Sequence, residues 1–186
     1  MELYIKNMVC PRCITSVKNI LDKINVSYQD VQLGVTILKE NPSSKTIAQF
    51  KKLLETKGFE LLQCEEEKII CQIKSHIIEK IHLTDEPPTE VLSVALSNLL
   101  HTEYSKLSKL FSKTEGITIE QFYTLQRVEK VKELLSYNEL TISEIANQMG
   151  YSSSAYLSTQ FKKITGYTPT QFQQKQELDR KLISDI

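Results

Sequence analysis

Two cysteines three positions apart, Cys10 and Cys13, are the residues of this chain best suited to chemistry. They stand in the run Met8-Val9-Cys10-Pro11-Arg12-Cys13, ahead of Ile14, Val17, Ile20, Leu21 and Ile24, whose spacing predicts a helix over 13–24. A C-x-x-C that opens a helix can bring two sulfurs onto one metal, and the helix N-terminus lowers thiol pKa values. Two soft thiolates suit Cu(I), and Zn if further ligands are found. A redox dithiol is a second reading. A degenerate pair, on a domain used for dimerisation or protein docking, is a third. Cys64 and Cys71 fit burial as small apolar residues better than ligation. His76 and His82 lie six apart on a predicted helix over 66–83 and do not share a face as zinc ligands would; His101 is near a turn. With no Gly-rich phosphate loop, paired catalytic carboxylates or Ser/His/Asp grouping, no enzyme is expected.

The elements that must hold this loop follow from residue patterns in the first sixty positions. Glu2 to Lys6 alternates like a strand, and Tyr28 to Leu33 and Val35 to Lys39 read as two strands around Gly34. After Pro42, Ser43 or Ser44 can cap a helix through Ile47, Phe50, Leu53 and Leu54, stopped by Gly58, and Phe59 to Cys64 closes as a fourth strand. The order β-α-β-β-α-β is a ferredoxin-like plan over residues 1–64. A helix from Glu66, with Glu65-Glu66-Glu67 suited to its first turn, is expected to open a second domain over 65–186. So short a joint suggests signalling by packing or through a dimer.

That second domain contains an internal copy. Leu107, Ser108, Phe111, Lys113, Gly116, Thr118, Gln121 and Phe122 recur fifty positions later as Leu157, Ser158, Phe161, Lys163, Gly166, Thr168, Gln171 and Phe172. Two like units invite a partner that itself repeats. In the second copy Thr141-Ile142-Ser143-Glu144 has capping-box spacing, Ile142, Ile145, Ala146 and Met149 form one stripe, and Gly150 stands where a left-handed cap would end the helix. Ser152 is placed to cap a second helix with Leu157, Phe161 and Ile164 inward, ended by Gly166. Helix, Gly-containing turn, helix is the helix-turn-helix plan.

At about 100° per residue, Ala155, Ser158, Thr159 and Lys162 then point outward, with Ser153 and Ser154 at the helix start and Lys163 at the margin. In the first copy Leu107, Leu110 and Phe111 turn inward, while Ser105, Ser108, Lys109 and Ser112 turn outward, flanked by Lys106 and Lys113. Hydroxyls can donate or accept at base edges, and lysine can reach guanine or phosphate, so both strips are candidate DNA-binding surfaces. Neither contains arginine. Between the copies, residues 118–136 predict an amphipathic helix with Ile119, Phe122, Val128, Val131, Leu134 and Leu135 on or near one face. Such a rod is about 28 Å long, against about 34 Å for one turn of B-DNA.

From about 66 to 178 the chain resembles the DNA-binding domain of AraC-type transcriptional regulators. The stretch from Thr141 to Pro169 follows that family's signature almost position by position, and Arg127, Glu129, Lys130, Lys132, Leu134 and Leu135 resemble its linker-helix pattern. The resemblance implies a seven-helix domain with two helix-turn-helix units, about 85–116 and 141–166, joined by the linker helix. It further implies sequence-specific binding to promoter or operator DNA, with Arg127 on phosphate. Thr159 stands where the family often has Arg, and Leu96 where a small Ala is usual. The acidic lead-in Asp85-Glu86-Pro87-Pro88 points to weaker or mainly phosphate binding by the first unit. Full-length regulators of this type are often dimers, which leaves a homodimer open.

Residues 1–64 resemble the heavy-metal-associated domains of copper chaperones and metal-transporting ATPases. Met8, Cys10 and Cys13 match that family's Met-x-Cys-x-x-Cys core, and Gly58-Phe59 its Gly-aromatic step before the last strand. Asn7, Val9 and Pro11-Arg12 depart from it; Arg12 favours a thiolate but opposes a bound cation. The resemblance implies a soft metal ion, Cu(I) or Zn, at Cys10 and Cys13.

Bulk properties set the remaining bounds. Hydrophobic residues make up 40% and charged ones 25% of 186 residues, and the apolar runs are too short to span a bilayer. Met1 to Lys6 lacks the pattern of a secretory signal, so a cytoplasmic location with reduced cysteines is expected. Net charge is zero, so any DNA-binding surface must be a local patch. The expectation is an α+β ferredoxin-like domain followed by an all-α domain, together a DNA-binding transcriptional regulator that senses a soft metal ion. The alternative is a metal-carrying or protein-docking adaptor whose helices make protein contacts only.

Overall fold

A computed structural model describes residues 1–84, 90–174 and 183. The chain divides into two compact units, Met1–Glu79 and Lys80–Ile186. The acidic stretch Asp85-Glu86-Pro87-Pro88 lies outside the described residues.

The first unit runs β1 (Glu2–Lys6), α1 (Pro11–Lys23), β2 (Tyr28–Gln32), β3 (Val35–Leu38), α2 (Ser44–Glu55), β4 (Glu60–Leu62) and α3 (Glu65–Ile78). All strand pairs are antiparallel, in the order β2-β3-β1-β4, which puts β1 inside the sheet. Strand alternation sends Leu3 and Ile5 to one face, and the register sets Thr36 beside Leu3 and Leu61 beside Ile5. Helices α1 and α2 pack on each other and on β2 and β4, adding Val17, Ile20, Leu21, Phe50 and Leu54 to this core. Helix α2 starts where its sequence says: Ser43 Oγ accepts from the Thr46 N–H at 3.2 Å. Helix α1 has no side-chain cap but carries Pro11 in its first turn, where an N–H would have no helical partner anyway.

The opposite sheet face carries Tyr4, Val35, Ile37 and Leu62. Helix α3 approaches it there: Gln72 Nε2 donates to the Tyr4 hydroxyl at 3.1 Å, and Lys68 Nζ lies 5.8 Å from the Tyr4 ring centroid. The compact first unit therefore extends to Glu79, beyond residue 64, where the sequence drew the boundary. The physical reason is that β1 presents a second face that α3 can cover. Its tightest approach is at Gly34 in the β2–β3 turn, where φ is +77° and an added Cβ would collide with Ser75 Oγ and crowd Cys71 Sγ. Only glycine suits both the left-handed backbone and the space.

Helix α3 runs into a π-helical turn, Glu79–Leu83. The second unit then contains α4 (Leu92–Leu100), α5 (Tyr104–Glu115), α6 (Ile119–Tyr137), α7 (Ile142–Gln148), α8 (Ser154–Thr165) and α9 (Pro169–Gln173). Helix α6 is its axis, packed by α5, α7, α8 and α9. The predicted apolar set Ile119, Phe122, Val128, Val131, Leu134 and Leu135 is buried throughout. However, Gln126, Glu129, Lys130 and Lys132 are buried too, so this is no simple amphipathic helix. Surrounded on several sides, α6 pairs its buried charges internally: Lys132 Nζ meets Glu129 at 3.1 Å, and Lys130 Nζ meets Glu133 at 3.3 Å. Paired charges tolerate burial that a lone charge would not.

One buried contact of the second unit is sensitive to acid. His82 Nε2 lies 2.9 Å from Gln126 Oε1, while His82 Nδ1 and Gln126 Nε2 are buried without hydrogen-bond partners among the described residues. Burial holds the His82 pKa below its usual 6.5. The Gln126 bond, Glu133 and Glu129 oppose the shift, and Lys130 adds to it. Since the unfolded chain takes the proton first, the stability owed to neutral His82 is complete above about pH 6.5 and is lost progressively as pH falls below it.

Two outcomes follow. Gly34→Ala should destabilise the first unit by about 1–3 kcal/mol in urea unfolding; an unchanged midpoint would contradict the close approach. The urea midpoint of the second unit should fall between about pH 7.5 and about pH 5.5, with a smaller fall in His82→Gln. Equal pH dependence in the two proteins would contradict the assignment to His82.

Candidate nucleic-acid interface

The repeated residues build the same joint twice. Helix α5 ends at Gly116 (φ +74°) and α8 at Gly166 (φ +81°), both left-handed caps. Two residues on, Thr118 Oγ1 accepts from Gln121 N at 3.1 Å and Thr118 N donates to Gln121 Oε1 at 2.8 Å. Thr168 and Gln171 repeat this capping box at 3.2 and 2.9 Å. Behind each cap an aromatic pair locks the preceding helix to the next: Phe111 on Phe122 with centroids 5.7 Å apart, and Phe161 on Phe172 at 5.4 Å. Leu107 and Leu157 are buried beside them. Six of the eight repeated identities thus serve the joint. Ser108 and Ser158, half-exposed, and Lys113 and Lys163, exposed, are the two that face outward.

The other candidate residues are found mostly where the helical wheel puts them. On α5, Ser105, Lys106 and Lys109 are exposed and Ser112 is half-exposed; on α8, Ala155, Thr159 and Lys162 are exposed. At the start of α8 the cap is Ser153 and not Ser152: Ser153 Oγ accepts from Tyr156 N at 3.1 Å, with Ser154 half-exposed behind it. Thr159 Oγ1 donates back to the Ala155 carbonyl at 3.0 Å. Ile164, expected inward, is 38% exposed, because Leu157 and Phe161 alone make the buried contact of α8.

Sequence reasoning also passed over Tyr156, which is 52% exposed on the first turn of α8. The signal was present, since Tyr156 falls one step, about 100°, away from Leu157 on the wheel. Tyr156, Thr159 and Lys163 share one exposed face at i, i+3 and i+7. Their counterparts fifty positions earlier are Lys106, Lys109 and Lys113, also all exposed. That face carries three lysines in the first helix-turn-helix unit, Lys106 pairing with Glu103 at 3.7 Å, and is mixed aromatic, hydroxyl and cationic in the second helix-turn-helix unit.

Comparison with known proteins agrees with this geometry. The helix-turn-helix domain family matches residues 96–175. The helical unit is an AraC-type helix-turn-helix domain. A similar solved structure is the C-terminal domain of AraT, a response regulator from Geobacillus stearothermophilus, with 29% identity and a TM-score of 0.51, covering 59% of this chain and 87% of that one. An HTH-type transcriptional regulator of Staphylococcus aureus strain MRSA252 is 26% identical over 78% of this chain and 23% of its own length. The regulatory protein PocR of Salmonella typhimurium is 27% identical over 77% of this chain and 43% of its own. The chain thus spans less than half the length of these curated relatives.

Within the AraC-type domain, Arg127 turns inward. Its Nη2 donates to the Met149 carbonyl at 2.6 Å, and its guanidinium carbon lies 3.6 Å from the Tyr151 ring centroid and 5.4 Å from that of Tyr123. Tyr151 in turn meets Tyr156, with centroids 6.1 Å apart. These contacts clasp α6 to the turn between α7 and α8 and, through the tyrosines, to the start of α8, while Arg127 itself stays half-exposed. No helix among the described residues is long and apolar enough to cross a membrane.

The C-x-x-C loop belongs to the other unit. Cys10 Sγ and Cys13 Sγ are 3.4 Å apart, with the Cys13 N–H on the Cys10 carbonyl at 2.9 Å. Partial burial raises the Cys10 thiol pKa, but backbone N–H groups of Cys13 and Arg12, the Cys13 side chain and the Arg12 charge outweigh it and hold Cys10 below its usual value. Burial and the neighbouring Cys10 raise Cys13. Met8 is buried beneath the loop. Cys71 is buried as expected, its thiol pushed up to about 11 by burial. Cys64 is exposed, contrary to expectation, because it stands at the N-cap of α3 outside the sheet. The antiparallel register of β1 and β4 puts it at the far end of the sheet from Cys10. Among the described residues no cluster of three or more His, Cys, Asp or Glu forms, so the donor set is two sulfurs. That set fits a two-coordinate soft cation and falls short of the four ligands of a closed zinc site.

Arg127→Lys should destabilise the AraC-type domain by about 1–3 kcal/mol in urea, because lysine cannot both stack on Tyr151 and hold the Met149 carbonyl. Wild-type stability in this variant would contradict the clasp.

Proposed function

We propose that this chain is a sequence-specific transcriptional regulator that binds promoter or operator DNA through α5 and α8. The observation that carries this reading is the doubled joint: two like helix-turn-helix units fixed to one buried rod, each with serine and lysine outward on its second helix. The rod, α6, has 19 residues and is about 28 Å long. That length suits two helices lodged in successive major grooves, about 34 Å apart on one face of the duplex.

The two helix-turn-helix units would divide the work. Lys106, Lys109 and Lys113 give the first helix-turn-helix unit a lysine-bearing face suited to phosphate, which supplies affinity without sequence information. Tyr156, Ser158 and Thr159 give the second helix-turn-helix unit aromatic and hydroxyl groups suited to base edges and thymine methyls, with Lys162 and Lys163 beside them.

For the first unit we propose a ferredoxin-like, heavy-metal-associated domain that senses a soft cation, Cu(I) before Zn. The β-α-β-β-α-β order, the strand order β2-β3-β1-β4 and the two sulfurs 3.4 Å apart support it. Cys10 and Cys13 would hold the ion as thiolates, and the adjacent Arg12 charge would weaken its binding.

Fluorescence anisotropy with duplexes selected from a random pool tests the DNA reading. Lys106→Ala and Lys109→Ala should each weaken binding alike on all sequences and lower the salt slope by about one. Ser158→Ala should instead change which sequences are preferred, by about 1–3 kcal/mol at the affected base. Binding without salt dependence, or untouched by all three changes, would contradict it.

A further inference from the structure

We propose that Cys10 and Cys13 form a reversible intramolecular disulfide, making the loop between β1 and α1 a thiol modification site. Their sulfurs are 3.4 Å apart, and a disulfide needs about 2.05 Å, so closure asks only for small side-chain rotations. The backbone is already held for it, with the Cys13 N–H on the Cys10 carbonyl and Pro11 fixing the first turn of α1. Both thiols are partly exposed, so a small co-reactant can reach them. The other two cysteines do not compete: Cys71 is buried under the sheet, and Cys64 is at the sheet's far end.

The chemistry needs a low-molecular-weight disulfide as oxidant. Cys10 Sγ, at the N-cap and outside the helix, attacks one sulfur of that disulfide as thiolate, breaking its S–S bond and releasing one thiolate. Cys13, its proton lost to solvent, then attacks Cys10 Sγ; the Cys10–Cys13 bond forms and the second thiolate leaves. Two protein thiols are oxidised by two electrons, and the co-reactant is reduced to two thiols. This couple needs no metal and stands apart from the cation reading, although both draw on the same sulfurs.

The test equilibrates the full chain with glutathione mixtures of rising oxidised fraction. Acid quenching, unfolding, thiol alkylation and peptide mass mapping follow. The expected result is a drop from four alkylated cysteines to two, with the Cys10–Cys13 peptide lighter by two hydrogens and restored by reduction. Cys13→Ser should instead accumulate glutathione on Cys10. Four alkylated cysteines at every ratio would overturn the proposal, and so would a bond to Cys64 or between two copies. The wild-type peptide map decides the matter even if the variant misfolds.

Discussion

The second unit rests on the burial of α6. With α5, α7, α8 and α9 packed on it, this helix is a common axis to which both helix-turn-helix units are referred. The Phe111–Phe122 and Phe161–Phe172 pairs set α5 against α6 and α8 against α9 by the same contact made twice. Whatever the outward side chains do, their placement depends on those aromatic seats. The charges buried along α6 are compatible with this because Lys130 and Lys132 find carboxylates three residues away on their own helix.

This burial explains why the internal copy is so visible in the amino-acid sequence while the two outward faces have diverged. A residue that closes a left-handed cap, a capping box or an aromatic seat has few substitutes, so glycine, threonine, glutamine and phenylalanine recur. The exposed face at Tyr156, Thr159 and Lys163 shares only its last residue with Lys106, Lys109 and Lys113. Architecture repeats; recognition chemistry does not. A protein that reads two adjacent and different stretches of one duplex needs that combination.

Periodicity and capping made most elements readable in advance. Ser43, Thr141 and the glycines at 116, 150 and 166 mark real helix ends, and Leu3, Ile5, Leu157 and Phe161 are core residues as their spacing says. What escaped depended on tertiary neighbours. The position of α3 could not be told from its own residues, because the decisive feature is the space above Gly34. Resemblance singled out Arg127, but its contacts with a carbonyl and two rings were not legible, because folding alone brings those groups close. The polar positions of α6 looked solvent-facing for the same reason: a helical wheel assumes one covered side, and α6 has several. At the cysteine loop, motif spacing named the pair, whereas the separation of Cys64 from it required the β1–β4 register.

The account centres on two unlike helices on one rod touching neighbouring grooves of one duplex. Methylation protection of a duplex selected by the full chain from a random pool tests this most directly. The account predicts two protected major-groove segments about one helical turn apart on one face of the DNA, only one of them strict in sequence. A single protected segment, or two on opposite faces, would contradict it.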